Sequence, residues 1–293
     1  MSGSAPQTKS EILRMLRPAG FRPSRRRGQS FLIDGNLMRR VVGAAELTPD
    51  DLVFEVGTGT ASLTRLLADA AGKVITVEVD SLLAGVAADV LRDVPNVTLI
   101  HADVLSGKNR LNPEVVERLK GASAGSTRTK LVANLPYSVA TPLVVNLVFG
   151  EVEFERMVFT VQRDVAERLT AKPGTREYGW VSVVAAISGE VKILTHMPPA
   201  VFWPRPRVES SLVVFRPRKD WQKDKNIDGF RALGPFVFQH RRKTALRILR
   251  DYVERRDSER DPALFLGEAS IEPKTRGDQL TPREILRLGD VVN

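Results

Sequence analysis

Leu52-Val53-Phe54-Glu55-Val56 runs without a break into Gly57-Thr58-Gly59-Thr60, after which Leu63, Leu66, Leu67 and Ala70 recur at helical spacing. An apolar run with no alternation reads as a strand covered on both faces, the habit of parallel sheets. Strand, glycine turn and helix, in that order, open a nucleotide-binding βαβ unit, which points to an α/β, Rossmann-like sheet. The turn is also selective. A dinucleotide fingerprint wants a third glycine three residues after the second, and Ser62 stands there instead, which disfavours close pyrophosphate packing. Two glycines still allow backbone approach to a smaller ligand.

The next strand, Lys73 to Val77, ends in Glu78, about 20 residues past the first glycine, where an acid accepts ribose hydroxyls. The other reading of Glu78 is a charge at the N-terminus of the helix after Asp80. A helical stretch, Leu82 to Leu91, leads to a third strand, Val97 to Ile100, and then to His101-Ala102-Asp103. Asp103 there either accepts a hydrogen bond from an adenine amino group or caps a loop. The fourth strand, Lys130 to Asn134, stops in Asn134-Leu135-Pro136-Tyr137. That places an amide, a rigid turn and an aromatic face at the C-terminal edge of the sheet, where open α/β sheets bind ligands. An amide to grip a planar amine, beside a ring to stack on it, is what modifying a nucleobase amino group requires.

Around this frame the pattern is less regular. Residues 1–10 are rich in Ser, Gly and Gln and read as disordered, with a short helix from Glu11 to Leu16. Arg22-Pro23-Ser24-Arg25-Arg26-Arg27 is a basic arm, either simply exposed or touching nucleic-acid phosphates through Arg25, Arg26 and Arg27. Helical spacing returns over Asn36 to Ala45. Ser106 to Arg128 reads as a polar insertion with a short helix at Pro113 to Leu119 and a flexible Gly121 to Ser126 stretch. Val139 to Phe149 reads as a buried helix with Pro142 in its first turn, Glu155 to Val161 as a fifth strand, and Asp164 to Thr170 as a helix. Trp180 to Ile187 fits helix or strand.

Val191 to Thr195 and Ser211 to Arg216 alternate like an antiparallel hairpin. Between them Met197 to Arg207 is stiffened by prolines and presents Phe202, Trp203, Arg205 and Arg207. Buried aromatics are usually core. A proline-stiffened loop is a poor place for core, so Phe202 reads as a stacking wall opposite Tyr137, with Arg205 and Arg207 beside it as RNA contacts. Trp221 to Asp228 reads as a linker, and Phe236 to Val253 as a helix with Ala245, Leu249 and Tyr252 on its apolar stripe. Lys243, Arg247 and Arg250 then share one exposed face next to His240-Arg241-Arg242. Such a face is either merely solvated or follows an RNA backbone, through Arg241, Arg242, Lys243, Arg247 and Arg250. The implied organisation is a basic arm (1–27), an α/β domain (28–220) and a small helical domain (226–293).

Composition narrows the chemistry. Lys and Arg number 44 against 35 Asp and Glu, a net charge of +9 that suits a polyanionic partner as well as a solvated basic surface. There is no Cys, which removes disulfides, thiolate attack on a pyrimidine, iron–sulfur radical chemistry and Cys-ligated zinc. His101, His196 and His240 lie far apart, so no metal is expected. No apolar run approaches the ~18 residues of a membrane span and no signal-peptide core opens the chain, so a cytoplasmic protein with no membrane partner is expected.

Taken in order, these segments resemble the KsgA-type ribosomal RNA adenine N6,N6-dimethyltransferases from Phe21 to the C-terminus. The residues that carry the resemblance are Gly28-Gln29-Ser30-Phe31-Leu32, Glu55-Val56-Gly57-Thr58-Gly59, Glu78, Asp103 and Asn134-Leu135-Pro136-Tyr137. Gln162-Arg163-Asp164-Val165, Pro198 to Phe202, Arg205 to Ser210 and Arg241-Arg242-Lys243-Thr244 extend it.

The resemblance implies a class I methyltransferase sheet followed by a small all-helical C-terminal domain. It implies S-adenosyl-L-methionine as donor and S-adenosyl-L-homocysteine as product, with no metal. The implied donor contacts are Gln29, Ser30, Leu32, Glu55, Gly57, Gly59, Glu78, Asp103 and Asn134. The implied catalytic set is Asn134, Leu135, Pro136, Tyr137 and Phe202. The implied substrate is two adjacent adenosines near the 3′ end of 16S rRNA in an immature 30S-type particle, and a monomer is expected. Family members usually carry Asn where this chain has Ser30. Three other readings remain: an Erm-type enzyme acting on large-subunit rRNA, a methyltransferase-fold assembly factor with little activity, and a protein glutamine methyltransferase.

Overall fold

The computed structural model describes residues 4–24, 28–107, 110–124, 128–219, 221, 227–256 and 260–292. Its contacts divide the chain into two compact units, Met1–Ala166 with Val191–Pro217, and Glu167–Glu190 with Arg218–Asn293. The sequence draws one boundary near residue 220. The chain crosses three times, because Glu167–Glu190 joins the C-terminal helices.

The first unit is built on a seven-stranded sheet of β1 (Asp51–Val56), β2 (Lys73–Glu78), β3 (Val97–His101), β4 (Arg128–Asn134), β5 (Arg156–Gln162), β6 (Gly189–Met197) and β7 (Ser210–Pro217). Their order across the sheet is β3-β2-β1-β4-β5-β7-β6. β1 pairs in parallel with both β2 and β4, β3 extends β2 and β5 extends β4 in parallel, and β7 runs antiparallel to β5. Every residue of β1 is buried, as a strand covered on both faces requires.

Helices α1 (Lys9–Leu16), α2 (Gly35–Ala44), α3 (Ser62–Ala70), α4 (Ser81–Leu91), α5 (Pro113–Ser123) and α6 (Ala140–Val148) belong to this unit. One apolar cluster joins Met38 and Val41 of α2 and Leu63 and Leu67 of α3 to Val53, Val74, Val132, Val158 and Leu212 of the sheet. Burying each such side chain contributes about 1.5–3 kcal/mol. Strand order reverses between β1 and β4, so the crevice for a ligand opens beyond Val56 and Asn134.

The opposite ends of the same two strands are closed by charge. The Lys130 ammonium, 1% exposed, donates to Asp51 Oδ2 at 2.9 Å and to the Glu46 carbonyl at 2.7 Å. The Arg128 guanidinium donates to Asp51 Oδ1 at 2.9 Å. Burial works to raise the Asp51 carboxyl, but hydrogen bonds from Lys130 and the Thr48 N–H and the two nearby cations outweigh it. The carboxyl is held below the usual carboxylate range.

Several local expectations change. Residues 4–8 are ordered, and Gln7 exchanges side-chain hydrogen bonds with Thr60, at 2.9 Å to its carbonyl and 2.6 Å from its hydroxyl. α1 starts at Lys9 because Thr8 and Glu11 form a capping box. Of the stretch read as flexible, Gly121 to Ser123 lie within α5, and residues 125–127 lie outside the described residues. The insertion also holds a small antiparallel ribbon, Leu105–Gly107 against Arg110–Leu111.

α7 (Arg163–Leu169) follows β5 and begins one residue before the sequence reading places it. The second unit contains α8 (Trp180–Ser188), α9 (Ile227–Gln239), α10 (Ala245–Glu254), α11 (Pro262–Glu268) and α12 (Pro282–Val291). Trp180 to Ile187 is therefore helix. Phe236 to Val253 is two helices, because a turn closed by Lys243 N–H to the His240 carbonyl interrupts it. Phe230, fully buried, packs against Trp180 with ring centroids 4.8 Å apart, and the buried Tyr178 hydroxyl donates to the Leu280 carbonyl at 2.9 Å. Among the described residues, no helix is long and apolar enough to cross a membrane.

Candidate active site

Gly57 ends β1 at φ +87°, and a Cβ there would lie 3.2 Å from the Pro136 ring. Gly28, at φ +65°, is tighter still, since a Cβ would lie 2.8 Å from the Tyr137 amide nitrogen. Only glycine accepts both conformations and both approaches. Gly28 and the glycine bend therefore both touch the Asn-Leu-Pro-Tyr turn, and together they border one hollow of about 370 Å³. That lies within the roughly 300–1,000 Å³ of small-molecule sites.

Gln29, Ser30, Gly57, Gly59, Glu78, Asp103 and Asn134 all line this hollow. One Glu78 carboxylate oxygen accepts the Gly59 N–H and the other the Asp80 N–H, both at 2.9 Å. Burial pushes its carboxyl above the usual range despite those bonds. Glu78 thus braces the bend, while Asp80 caps α4 by accepting from the Leu82 and Leu83 N–H groups at 3.1 and 3.3 Å. Asp103 is exposed at the mouth, with Oδ1 on the Leu105 N–H at 2.9 Å. Gln29 bridges the Ser24 N–H and Asp80 Oδ2, at 2.8 and 3.2 Å.

Two of the chosen donor residues do not face the hollow. Leu32 is 5% exposed in the apolar core, and Glu55 is 1% exposed beneath the glycine bend. Successive strand residues point to opposite faces, so Val56 lines the hollow and Glu55 turns away from it. Glu55 Oε2 accepts from the Thr64 and Thr76 hydroxyls, both at 2.7 Å, and burial pushes its carboxyl up to about 8. Glu55 and Leu32 instead border a second cavity of about 50 Å³, which Asn134 also lines.

Asn134 is held at both ends. Its Nδ2 donates to the Ser30 carbonyl at 2.8 Å, and its Oδ1 accepts from the Thr160 hydroxyl. The half-buried Tyr137 shares a hydrogen bond of 2.6 Å with Ser210 Oγ, and burial pushes its phenol above the usual range. Leu135 between them is 1% exposed, and Pro136 lines the hollow. The Ser30 hydroxyl donates to the Pro204 carbonyl at 2.9 Å.

Phe202 needs correction. It is 2% exposed and sits in the apolar core with Leu32 and Met197, not open to a ligand. The reason is a short ribbon that the proline pattern hid: Leu32 pairs with Phe202 and Phe31 with Trp203. Alternation sends Phe202 inward and leaves Trp203 stacked on Phe31, 5.9 Å between centroids.

The basic residues divide. Arg25, Arg26 and Arg27 lie outside the described residues. Arg205, Arg207, Arg242 and Arg250 are exposed. The Arg241 guanidinium is engaged by backbone, donating to the Tyr178 and Arg176 carbonyls at 2.9 and 3.0 Å. Lys243 and Arg247 do have an acidic partner, since Asp251 accepts from them at 2.9 and 3.1 Å. Asp251 is one helical turn past Arg247, which the reading of one basic face overlooked. Thr160 and Ser210 were also missed. Their signal is a hydroxyl in or at the end of an apolar strand, which costs free energy when buried unless it is paired.

Among the described residues the lining holds two carboxylates, Glu78 and Asp103, and no Lys or Arg. A pyrophosphate would meet repulsion there, whereas a ligand carrying positive charge would not. No cluster of metal-ligating side chains occurs among the described residues.

A family model described as ribosomal RNA adenine dimethylase matches residues 20–287. The chain belongs to that family. The ribosomal RNA small subunit methyltransferase A of Shouchella clausii is 36% identical, over 95% of this chain and 92% of its own length. That of Pelotomaculum thermopropionicum is 38% identical, over 95% and 94%. The dimethyladenosine transferase from Plasmodium falciparum shares the fold at a TM-score of 0.69, with 21% identity over 88% of this chain and 95% of that one. The 23S rRNA methyltransferase ErmE shares it at 0.61, with 23% identity over 88% and 98%. As a member of the rRNA adenine dimethylase family the chain is an enzyme, an rRNA adenine dimethyltransferase on a Rossmann-like sheet, which sets the glutamine methyltransferase reading aside.

Proposed function

We propose that the hollow holds S-adenosyl-L-methionine and that Asn134 to Tyr137 present to it the N6 amine of two adjacent adenosines near the 3′ end of small-subunit rRNA. The observation that carries this reading is the shared hollow, with the glycine bend and the Asn–Tyr turn in contact through Gly57 and Pro136. The residues fit such a donor. Three positive-φ glycines, Gly28, Gly57 and Gly59, bring bare backbone to the wall of the hollow, Glu78 and Asp103 are acceptors for the donor's ribose and adenine, and an acidic lining suits its positive charges. When bound, the donor supplies an electrophilic methyl on a sulfonium whose leaving group is neutral.

The chain's own residues supply geometry. Adenine N6 is conjugated with its ring, so its lone pair is a weak nucleophile. Acceptance of its N–H groups by Asn134 Oδ1 and the Leu135 carbonyl draws the nitrogen toward tetrahedral geometry and frees that pair. A donor held by Glu78, Asp103 and the glycine backbone would supply its methyl to the N6 lone pair and depart as a neutral thioether, and the N6 proton given up would pass to solvent. No general base is needed at the site, and positioning does most of the work. Tyr137 stacks on the extruded base, worth ~1–3 kcal/mol.

Exposed Arg205, Arg207, Arg242 and Arg250, with the arm Arg25 to Arg27, supply phosphate contacts on an immature 30S-type particle in the cytoplasm, where the enzyme acts as a monomer. Binding should therefore weaken steeply with salt, and an affinity unchanged across a salt titration would contradict this. The small-subunit names of the 36–38% relatives support this target over an Erm-type large-subunit one. The deciding experiment treats unmethylated small-subunit particles with enzyme and labelled donor, then maps methylated nucleosides by mass. Dimethyladenosine at two neighbouring positions near the 3′ end is expected. Label confined to large-subunit rRNA would overturn the assignment.

A further inference from the structure

We infer that Thr160 is a positioning residue for the Asn134 amide and that its hydroxyl governs how efficiently a singly methylated adenine goes on to the dimethylated product. This rests on the reading that Asn134 grips the N6 amine. Thr160 and Asn134 are register partners on adjacent parallel strands, β5 and β4, and Leu212 of β7 is Thr160's partner on the other side. Thr160 is 0% exposed in the apolar run Val158-Phe159-Thr160-Val161, where a hydroxyl without a partner would be costly.

The direction of the bond follows from chemistry. The Ser30 carbonyl can only accept, so the group facing it at 2.8 Å is the Asn134 NH₂. The amide oxygen therefore faces Thr160, and since that oxygen cannot donate, the Thr160 hydroxyl must. Its single proton is committed to Asn134. An amide pinned at nitrogen by Ser30 and at oxygen by Thr160 cannot swing about its terminal torsion, which is otherwise soft. One lone pair of Oδ1 is taken, and one remains for the substrate amine.

The two transfers use that fixed oxygen differently. An unmethylated amine offers two N–H groups, so the Leu135 carbonyl can share the grip. A monomethylated amine offers one, and its orientation then depends on a single acceptor staying in place. Loosening Asn134 should harm the second transfer more than the first.

The test compares full-length wild type, Thr160→Val, Thr160→Ser, Thr160→Cys and Asn134→Ala on unmethylated small-subunit particles. Read for each are S-adenosylhomocysteine affinity by calorimetry, melting temperature, initial transfer rate, and the ratio of mono- to dimethyladenosine at matched total methyl. Thr160→Val should keep affinity and melting temperature but transfer about tenfold more slowly, the loss expected for one hydrogen bond, and accumulate monomethyladenosine. Thr160→Ser should restore both rate and ratio. Thr160→Cys, a weak donor of similar size, should fall between them and carries the test should the Val variant not fold.

A wild-type ratio and rate in Thr160→Val with an inactive Asn134→Ala would overturn the inference and leave the amine grip standing. Loss of melting temperature and affinity in step with rate, at an unchanged ratio, would reduce Thr160 to a structural role and overturn it too. A fully active Asn134→Ala would instead remove the grip itself.

Discussion

The two ends of the β1–β4 pair lie only roughly 17 Å apart by strand rise, yet they are built on opposite principles. At the N-terminal end, Asp51, Lys130 and Arg128 close the sheet with hydrogen-bonded charge, and Lys130 is 1% exposed. At the C-terminal end, the same strands run out into Gly57 and Asn134, which border open space and bring acceptors and bare backbone to its wall. One end is filled and the other is left unfilled. Stability should therefore be concentrated at the first and chemistry at the second.

The largest expected effect tests the filled end. Lys130→Met takes from the buried Asp51 carboxylate the one of its two cations that is itself buried, leaving the partly exposed Arg128, and breaking a buried pair costs about 3–5 kcal/mol. Denaturant unfolding should show that drop, while the turnover of the fraction that remains folded should be unchanged. A stable variant with poor turnover would reverse the division of labour between the two ends.

Next comes the aromatic at the open end. Tyr137→Ala should lower kcat/KM by the ~1–3 kcal/mol of one base stack. The same variant should melt within a few degrees of wild type, because the ring is only half-buried. A collapse in melting temperature would mean that the open end also supports the fold.

A pH test locates the line between the ends. Glu55 lies one residue before Val56, and burial raises its carboxyl from 4.5 to about 8. A folded-state value above the unfolded one means its contribution is full below pH 4.5 and is lost as pH rises toward 8. Unfolding free energy should fall across that window by at most about 1.4 kcal/mol per pH unit, and Glu55→Gln should remove that slope. Denaturant melts of both proteins across the window check this. A slope that persists in Glu55→Gln would show that other groups set it.

The open end was more legible in the sequence than the filled one. Gly57, Gly59, Glu78, Asp103 and Asn134 sit at strand ends, where spacing alone puts them on one edge, and they do line one hollow. Alternation along β1 turns the Glu55 side chain away from the hollow, and the pairing of Leu32 with Phe202 turns both of those side chains into the core, a ribbon that no local pattern shows. Partnerships distant in sequence were invisible for a simpler reason. Lys130 with Asp51, Thr160 with Asn134 and Tyr137 with Ser210 are fixed by strand register and side-chain reach, which no local pattern encodes. The same holds for Glu167–Glu190, whose helical pattern is local but whose membership of the second unit is not.

The most direct measurement of the shared hollow pairs calorimetry of S-adenosylhomocysteine with single-turnover methyl transfer in Asn134→Ala. Donor-product affinity within about twofold of wild type, with transfer slowed about 10²- to 10³-fold, is the expected result for removal of a preorganised transition-state contact. Full transfer by that variant, or loss of donor binding in proportion to rate, would contradict the amide's role at the open end.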